Sequence, residues 1–129
     1  AIKGTSKVGD KFENVVNEKV PLVFEGASNI YTPESYGEKD DMKGGIDITF
    51  DHNGSKKSIQ VKKVKKIIRQ NDKYLIEGTS FSKHYNVDYL VACTNKFCMF
   101  FNYNENSIEI LPDGDILIGK SNLIRNLDI

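Results

Sequence analysis

Gly44-Gly45-Ile46-Asp47-Ile48-Thr49-Phe50-Asp51-His52-Asn53-Gly54-Ser55-Lys56-Lys57-Ser58-Ile59-Gln60-Val61-Lys62-Lys63 is the stretch on which the fold turns. Ile46, Ile48 and Phe50 alternate with Asp47, Thr49 and Asp51, the period of a strand with one buried face. Asn53-Gly54 carries a strong hairpin signal, because both residues tolerate the positive φ of a tight turn. Beyond the turn, Ile59 and Val61 alternate with Gln60 and Lys62, so the returning strand also collects its polar residues on one face. If the strands pair through that turn, Asp47 and Gln60 approach each other, with Lys62 one step along. A carboxylate, an amide oxygen and an ammonium then meet at one spot.

Upstream, residues 6–20 read as a helix. Val8, Phe12, Val15, Val16 and Val20 form one apolar stripe, with Ser6 as N-cap and Asp10 as an acid in the first turns. Pro21 is expected to end it. Residues 25–45 read as a polar loop with a short strand near Asn29–Thr32. Downstream, a strand is expected from Ser58 to Ile68, then a turn at Gln70–Lys73 and a strand over Tyr74–Glu77. Phe81 and Tyr85, at i and i+4, suggest a short helix over residues 79–86. Val87–Cys93 and Phe97–Tyr103 read as strands joined by Thr94-Asn95-Lys96. Ile108–Leu111 and Ile116–Ile118 make a last hairpin around Pro112–Asp115. A helix followed by a strand meander and further mixed elements places the chain in the α/β (α+β) class.

Composition narrows the function classes. The 129 residues fit one domain, read here as spanning residues 1–129, and a chain of that size can bury a core without metals or disulfides. With 39% hydrophobic and 28% charged residues it is neither disordered nor fibrous. No apolar run nears the roughly 18 residues of a membrane span, so no membrane partner is expected. The opening Ala1–Lys7 lacks the apolar centre of a secretory signal, so an intracellular location, cytoplasmic or nucleoid, is expected. The first residue is not Met, which suggests processing or excision from a longer protein. Cys93 and Cys98 read as buried thiols, with a disulfide across a short hairpin or a metal role as the alternative. Zero net charge hides an acidic block, Glu34, Glu38, Asp40, Asp41, Asp47 and Asp51, followed by a basic block. That block, residues 56–73, holds Lys56, Lys57, Lys62, Lys63, Lys65, Lys66, Arg69 and Lys73 against Asp72 alone. Such an order suits a cation site beside a polyanion site, and two solvated loops of opposite sign are the simpler alternative.

Gly44-Gly45-Ile46-Asp47, twelve intervening residues, then Gln60-Val61-Lys62 resembles the active-site motif of the PD-(D/E)xK nuclease superfamily, and its Gln-x-Lys form is similar to Mrr-type endonucleases. Lys7-Val8-Gly9-Asp10-Lys11-Phe12-Glu13 resembles the opening helix of that family, which brings a further acid to the site. Tyr85–Val91 is similar to the segment entering its fourth core strand. Two departures stand out: Gly45-Ile46 occupies the place of the proline, and Gln60 that of the usual acid.

The resemblance implies a restriction-endonuclease-like core, a central mixed β-sheet flanked by helices, and a DNA endonuclease of restriction, homing or junction-resolving type. It implies Mg²⁺ (or Mn²⁺) held by Asp47, Gln60 and Glu13, with Lys62 as the catalytic lysine. Oxygen ligands suit Mg²⁺, which polarises phosphate and activates water, while a lysine orients or deprotonates that water and stabilises the phosphorane. Lys57, Lys63, Lys65, Lys66, Arg69 and Lys73 would bind DNA phosphates. A homodimer and a separate target-recognition domain are further expectations. The alternative is a nucleic-acid-binding module that keeps the fold without the chemistry, and for Glu13 a surface acid on the helix flank.

A basic run that binds phosphates releases counterions, so affinity should fall steeply with salt. Lys65→Ala with Lys66→Ala should weaken duplex binding equally for all sequences and flatten the plot of log affinity against log salt by about two phosphate contacts. Fluorescence anisotropy over a salt series checks this.

Overall fold

A computed structural model describes residues 2–32 and 45–129, with the helical side chains described from Phe12 onward. The acids Glu34, Glu38, Asp40 and Asp41 and the residue Gly44 lie outside the described residues. The chain runs α1 (Ile2–Val23), β1 (Ser28–Tyr31), β2 (Ile48–His52), β3 (Ser55–Lys63), β4 (Lys66–Gln70), β5 (Lys73–Glu77), β6 (Tyr89–Cys93), β7 (Phe97–Asn102), β8 (Ile108–Ile110), β9 (Ile116–Gly119) and β10 (Leu123–Asp128). Single 3₁₀ turns at Glu105–Ser107 and Lys120–Asn122 precede β8 and β10.

Helix α1 is longer than the sequence reading at both ends. It begins at Ile2, so Ser6 lies within it rather than capping it, and Pro21 sits inside its last turn without ending it. Proline leaves the Asn17 carbonyl without its intrahelical donor, but the helix resumes at once, with Phe24 N donating to Val20 O. Phe12, Val16 and Val20 form the buried face, and Phe24 continues it past the helix end. Glu13 is buried beside them at 4% exposure, so it is not the surface acid of the alternative reading.

The expected hairpin forms. Asn53 and Gly54 take φ values of 50° and 79°, and β2 pairs antiparallel with β3 from Ile48↔Ile59 to His52↔Ser55. β3 then pairs in parallel with β6, from Ile59↔Tyr89 to Lys63↔Cys93. The resulting six-stranded mixed sheet has the order β1-β2-β3-β6-β7-β10. β4, β5, β9 and β8 form a second, antiparallel sheet of four strands.

These elements make three layers. Side chains of α1 pack with Ile48, Phe50, Ile59, Val61, Val91 and Phe100 on one face of the large sheet. Leu90, Ala92, Met99 and Phe101 on its other face pack against Ile76, Ile116 and Ile118 of the small sheet. Sandwiching explains why Leu90–Cys93 and Cys98–Phe101 are continuous apolar runs rather than alternating ones: β6 and β7 are covered on both sides.

Three expectations fail and one strand was not foreseen, each for a tertiary reason. The strand expected from Ser58 to Ile68 is two strands in two sheets: Val64 N still donates to Cys93 O, but Lys65 N donates to Glu77 O. Residues 79–86 form no helix, since Ser80 has φ 55° and Phe81 N donates to Gly114 O. A second sheet, not a second helix, therefore covers that face among the described residues. β10 was not legible because its apolar residues do not alternate; its pairing with β7 shifts register between Leu123 and Arg125. Finally Cys93 and Cys98, opposite each other on β6 and β7, form a disulfide rather than remaining as thiols.

Phe50 is fully buried, with ring centroids of Phe24 and Tyr89 at 5.0 and 6.1 Å. Phe50→Ala should cost about 3–5 kcal/mol in urea unfolding, whereas Leu22→Ala, at an exposed helix position, should change it by less than about 0.5 kcal/mol.

Candidate functional site

The site is built by the ladder between β2 and β3. Ile48 pairs with Ile59, so the register carried one residue further sets Asp47 opposite Gln60. Asp47 N donates to Ile59 O at 2.8 Å, and its carboxylate Oδ2 accepts from Val61 N at 2.9 Å. The aspartate side chain thus takes a ladder donor of β3 just where β2 begins. It is anchored to the strand that carries Gln60 and Lys62.

Ile59 and Val61 point into the helix layer, so Gln60 and Lys62 project from the opposite face, as the alternation requires. Gln60 is 7% exposed. Its Nε2 donates to Val61 O at 3.2 Å, while its buried Oε1 has no hydrogen-bond partner. An amide oxygen left in that state costs about 1–3 kcal/mol unless a donor or a cation meets it. Gly45 lies against the same oxygen. A Cβ placed there would stand 2.8 Å from Gln60 Oε1 and overlap the Tyr85 ring, and the φ of 79° independently favours glycine.

Lys62 Nζ stands 5.1 Å from the ring centroid of Tyr85 and 5.3 Å from that of Phe81. Both aromatic residues come from the irregular segment before β6. Tyr85 N donates to Tyr103 Oη at 2.9 Å, and His84 Nδ1 lies 2.9 Å from the same oxygen. Burial keeps the Tyr103 phenol above its ordinary pKa, against the opposing effect of the Tyr85 N–H bond. The hydroxyl therefore stays protonated and holds His84 and Tyr85 together. Asp88 fixes the other end of this segment: its Oδ2 accepts from Ser58 N at 2.9 Å, and its own N donates to Ser58 O at 3.1 Å.

The structure thus brings together Asp47, Gln60 and Lys62. Glu13 enters from the helix layer, on the other face of the sheet from Gln60. The basic residues do not form one strip. Lys57 and Lys63 share the helix-side face of β3, and Lys63 Nζ lies 5.9 Å from the Phe12 ring. Lys65 is at the crossover, and Lys66, Arg69 and Lys73 belong to the second sheet, exposed to solvent. Sequence reasoning missed Phe81, Tyr85 and Asp88 as neighbours of the site. Asp88 ahead of an apolar run was a visible boundary signal, but the aromatic pair looked helical.

Among the described residues no group of three or more His, Cys, Asp and Glu side chains is placed to hold a metal ion. Asp47 and Gln60 supply one charged and one neutral oxygen donor. That pair fits Mg²⁺, which commonly takes one or two carboxylates and completes its shell with water and substrate phosphate. The chain matches no protein-family model, no curated protein and no solved structure.

Gln60→Glu would put a carboxylate where a neutral oxygen is now buried. Without metal the variant should melt lower than wild type, by about 1–3 kcal/mol of stability, and Mg²⁺ should raise its Tm more than that of wild type. Thermal melts in EDTA and in Mg²⁺ read both effects.

Proposed function

We propose that the protein is a divalent-cation-dependent DNA endonuclease with a restriction-endonuclease-like core. The observation that carries this reading is the buried, unpartnered Gln60 Oε1 across the ladder from Asp47, with Lys62 on the same face two residues on. The order of the sheet supports it: helix, three antiparallel strands, then a fourth core strand, β6, parallel to the third.

In this reading Mg²⁺ or Mn²⁺ would be held by Asp47 and Gln60 and would supply charge neutralisation at the scissile phosphate and activation of water; Glu13, buried on the helix side of the sheet, falls outside that set. Asp47 provides most of the negative charge, because Gln60 contributes an oxygen without charge. Lys62 orients the attacking water and offsets charge that develops on the phosphorane. Lys57, Lys63, Lys65, Lys66, Arg69 and Lys73 approach phosphates from more than one side of the molecule, which suits a duplex wrapped across an edge better than a flat strip. Cutting both strands of a duplex calls for two such centres, hence a homodimer. Selecting a target calls for a recognition domain. The intracellular location is part of the same reading.

One observation favours the non-catalytic alternative. The Asp47–Val61 hydrogen bond gives Asp47 a structural role that a simple binding module would also need.

Plasmid nicking with Mg²⁺ or Mn²⁺, with and without EDTA, separates the two readings. Asp47→Asn should abolish cleavage while leaving DNA binding equal or tighter, since phosphate repulsion falls. Lys62→Ala should lower the rate by about a hundredfold or more with little loss of Mg²⁺ binding by calorimetry. An Asp47→Asn protein that nicks as well as wild type overturns the assignment.

A further inference from the structure

A lysine on an exposed strand spreads its ammonium over many rotamers, and a charge so spread is poorly aimed. Lys62 is not in that situation. It is half-buried, and its Nζ stands 5.1 and 5.3 Å from the ring centroids of Tyr85 and Phe81. The two rings meet edge to face, with centroids 5.0 Å apart and planes at 85°. The ammonium therefore occupies the corner between two perpendicular aromatic walls, and each ring face attracts it.

The walls are set independently of the lysine. Thr79 Oγ1 donates to Gly114 O at 2.6 Å and Phe81 N donates to the same oxygen at 2.8 Å. At Gly114, φ is 91° and an added Cβ would stand 3.1 Å from Ser80 Cα, so the turn between β8 and β9 presses directly on this segment. At its other end Tyr85 N is held by Tyr103 Oη, and the Tyr85 ring lies on the backbone of Gly45, beside Gln60 Oε1. Phe81 is buried at 3% exposure among residues of the second sheet. The corner is thus fixed by the packing of the two sheets.

We propose that Phe81 and Tyr85 are positioning residues for Lys62, two fixed aromatic walls that aim its ammonium toward the phosphate engaged at Asp47 and Gln60. The inference rests on the nuclease reading of that site. It assigns the second sheet a purpose in the chemistry: its β8–β9 turn braces the segment that carries the two walls.

The test uses the full chain and the variants Tyr85→Phe, Tyr85→Leu, Phe81→Leu and Lys62→Ala, each checked for folding by circular dichroism. Tyr85→Phe keeps the ring and should cut at the wild-type rate. Tyr85→Leu and Phe81→Leu should lower kcat by about ten- to a hundredfold, with KM and DNA affinity within about twofold of wild type. Phe81→Leu keeps apolar volume in the core and carries the test if Tyr85→Leu does not fold. A readout independent of cleavage is NMR of the Lys62 side chain. Its ε-methylene protons should lie upfield of those of the other lysines through ring currents, and should return toward them in Tyr85→Leu or Phe81→Leu. Cleavage that is lost in Lys62→Ala but kept at the wild-type rate in a folded Leu variant overturns the positioning role and leaves the nuclease reading standing. Wild-type protein that cuts no DNA with Mg²⁺ or Mn²⁺ overturns the nuclease reading and the positioning role with it. A Lys62 resonance unaffected by either ring overturns the geometry itself.

Discussion

Everything in this molecule is arranged around the two-residue period of β3. Because successive side chains leave a strand on opposite faces, Ile59 and Val61 can enter the helix layer only if Gln60 and Lys62 leave it. A slip of one residue would bury Lys62 under α1 and expose both aliphatic residues. The apolar demand of the helix-side core therefore fixes where the polar pair stands. Asp88 reinforces that register by binding Ser58 at the base of the strand, and Asp47 does so at the top by accepting from Val61 N.

The polar face so created is not open to water in the ordinary way. One side is closed by the glycine backbone at Gly45 and the other by a segment tied to the second sheet and to Tyr103. Gln60 is buried there and Lys62 half-buried, so charges at this spot act in a medium less screening than bulk solvent. Glutamine in place of an acid suits such a setting: a second buried carboxylate beside Asp47 would repel it whenever no cation was present.

How much could be read beforehand depended on the range of the interactions. The hairpin was legible because Asn53-Gly54 and the flanking alternation are local, and the β8–β9 hairpin was legible for the same reason. The meeting of Asp47 with Gln60, and Lys62 on the same face, followed from the strand period alone. What escaped was set by distant partners. Phe81 and Tyr85 have helical spacing, but Phe81 N is claimed by Gly114, thirty-three positions on, and no local rule anticipates that bond. The departure of the chain from the large sheet after Val64 falls in Val61-Lys62-Lys63-Val64-Lys65-Lys66-Ile67-Ile68, where paired lysines break the two-residue alternation without naming the distant partners that the chain turns to. Cys93 and Cys98 pair because β6 and β7 set them opposite each other, whereas composition alone pointed to thiols.

The parallel pairing of β3 with β6 has a consequence for how the molecule assembles. Among the described strands it is the one parallel pair, and between its partners the chain leaves to make β4, β5 and the segment before β6. A hairpin such as β2–β3 closes a few residues, whereas this closure spans residues 64–88 and costs about 1–2 kcal/mol more in chain entropy, a loop that the β4–β5 hairpin shortens. Lys62 lies just before that span, and Phe81 and Tyr85 lie within it, near its end. The corner around the lysine is therefore complete only where β3 and β6 have paired: the first hairpin alone carries Asp47, Gln60 and Lys62 in register, but neither of the rings beside the ammonium.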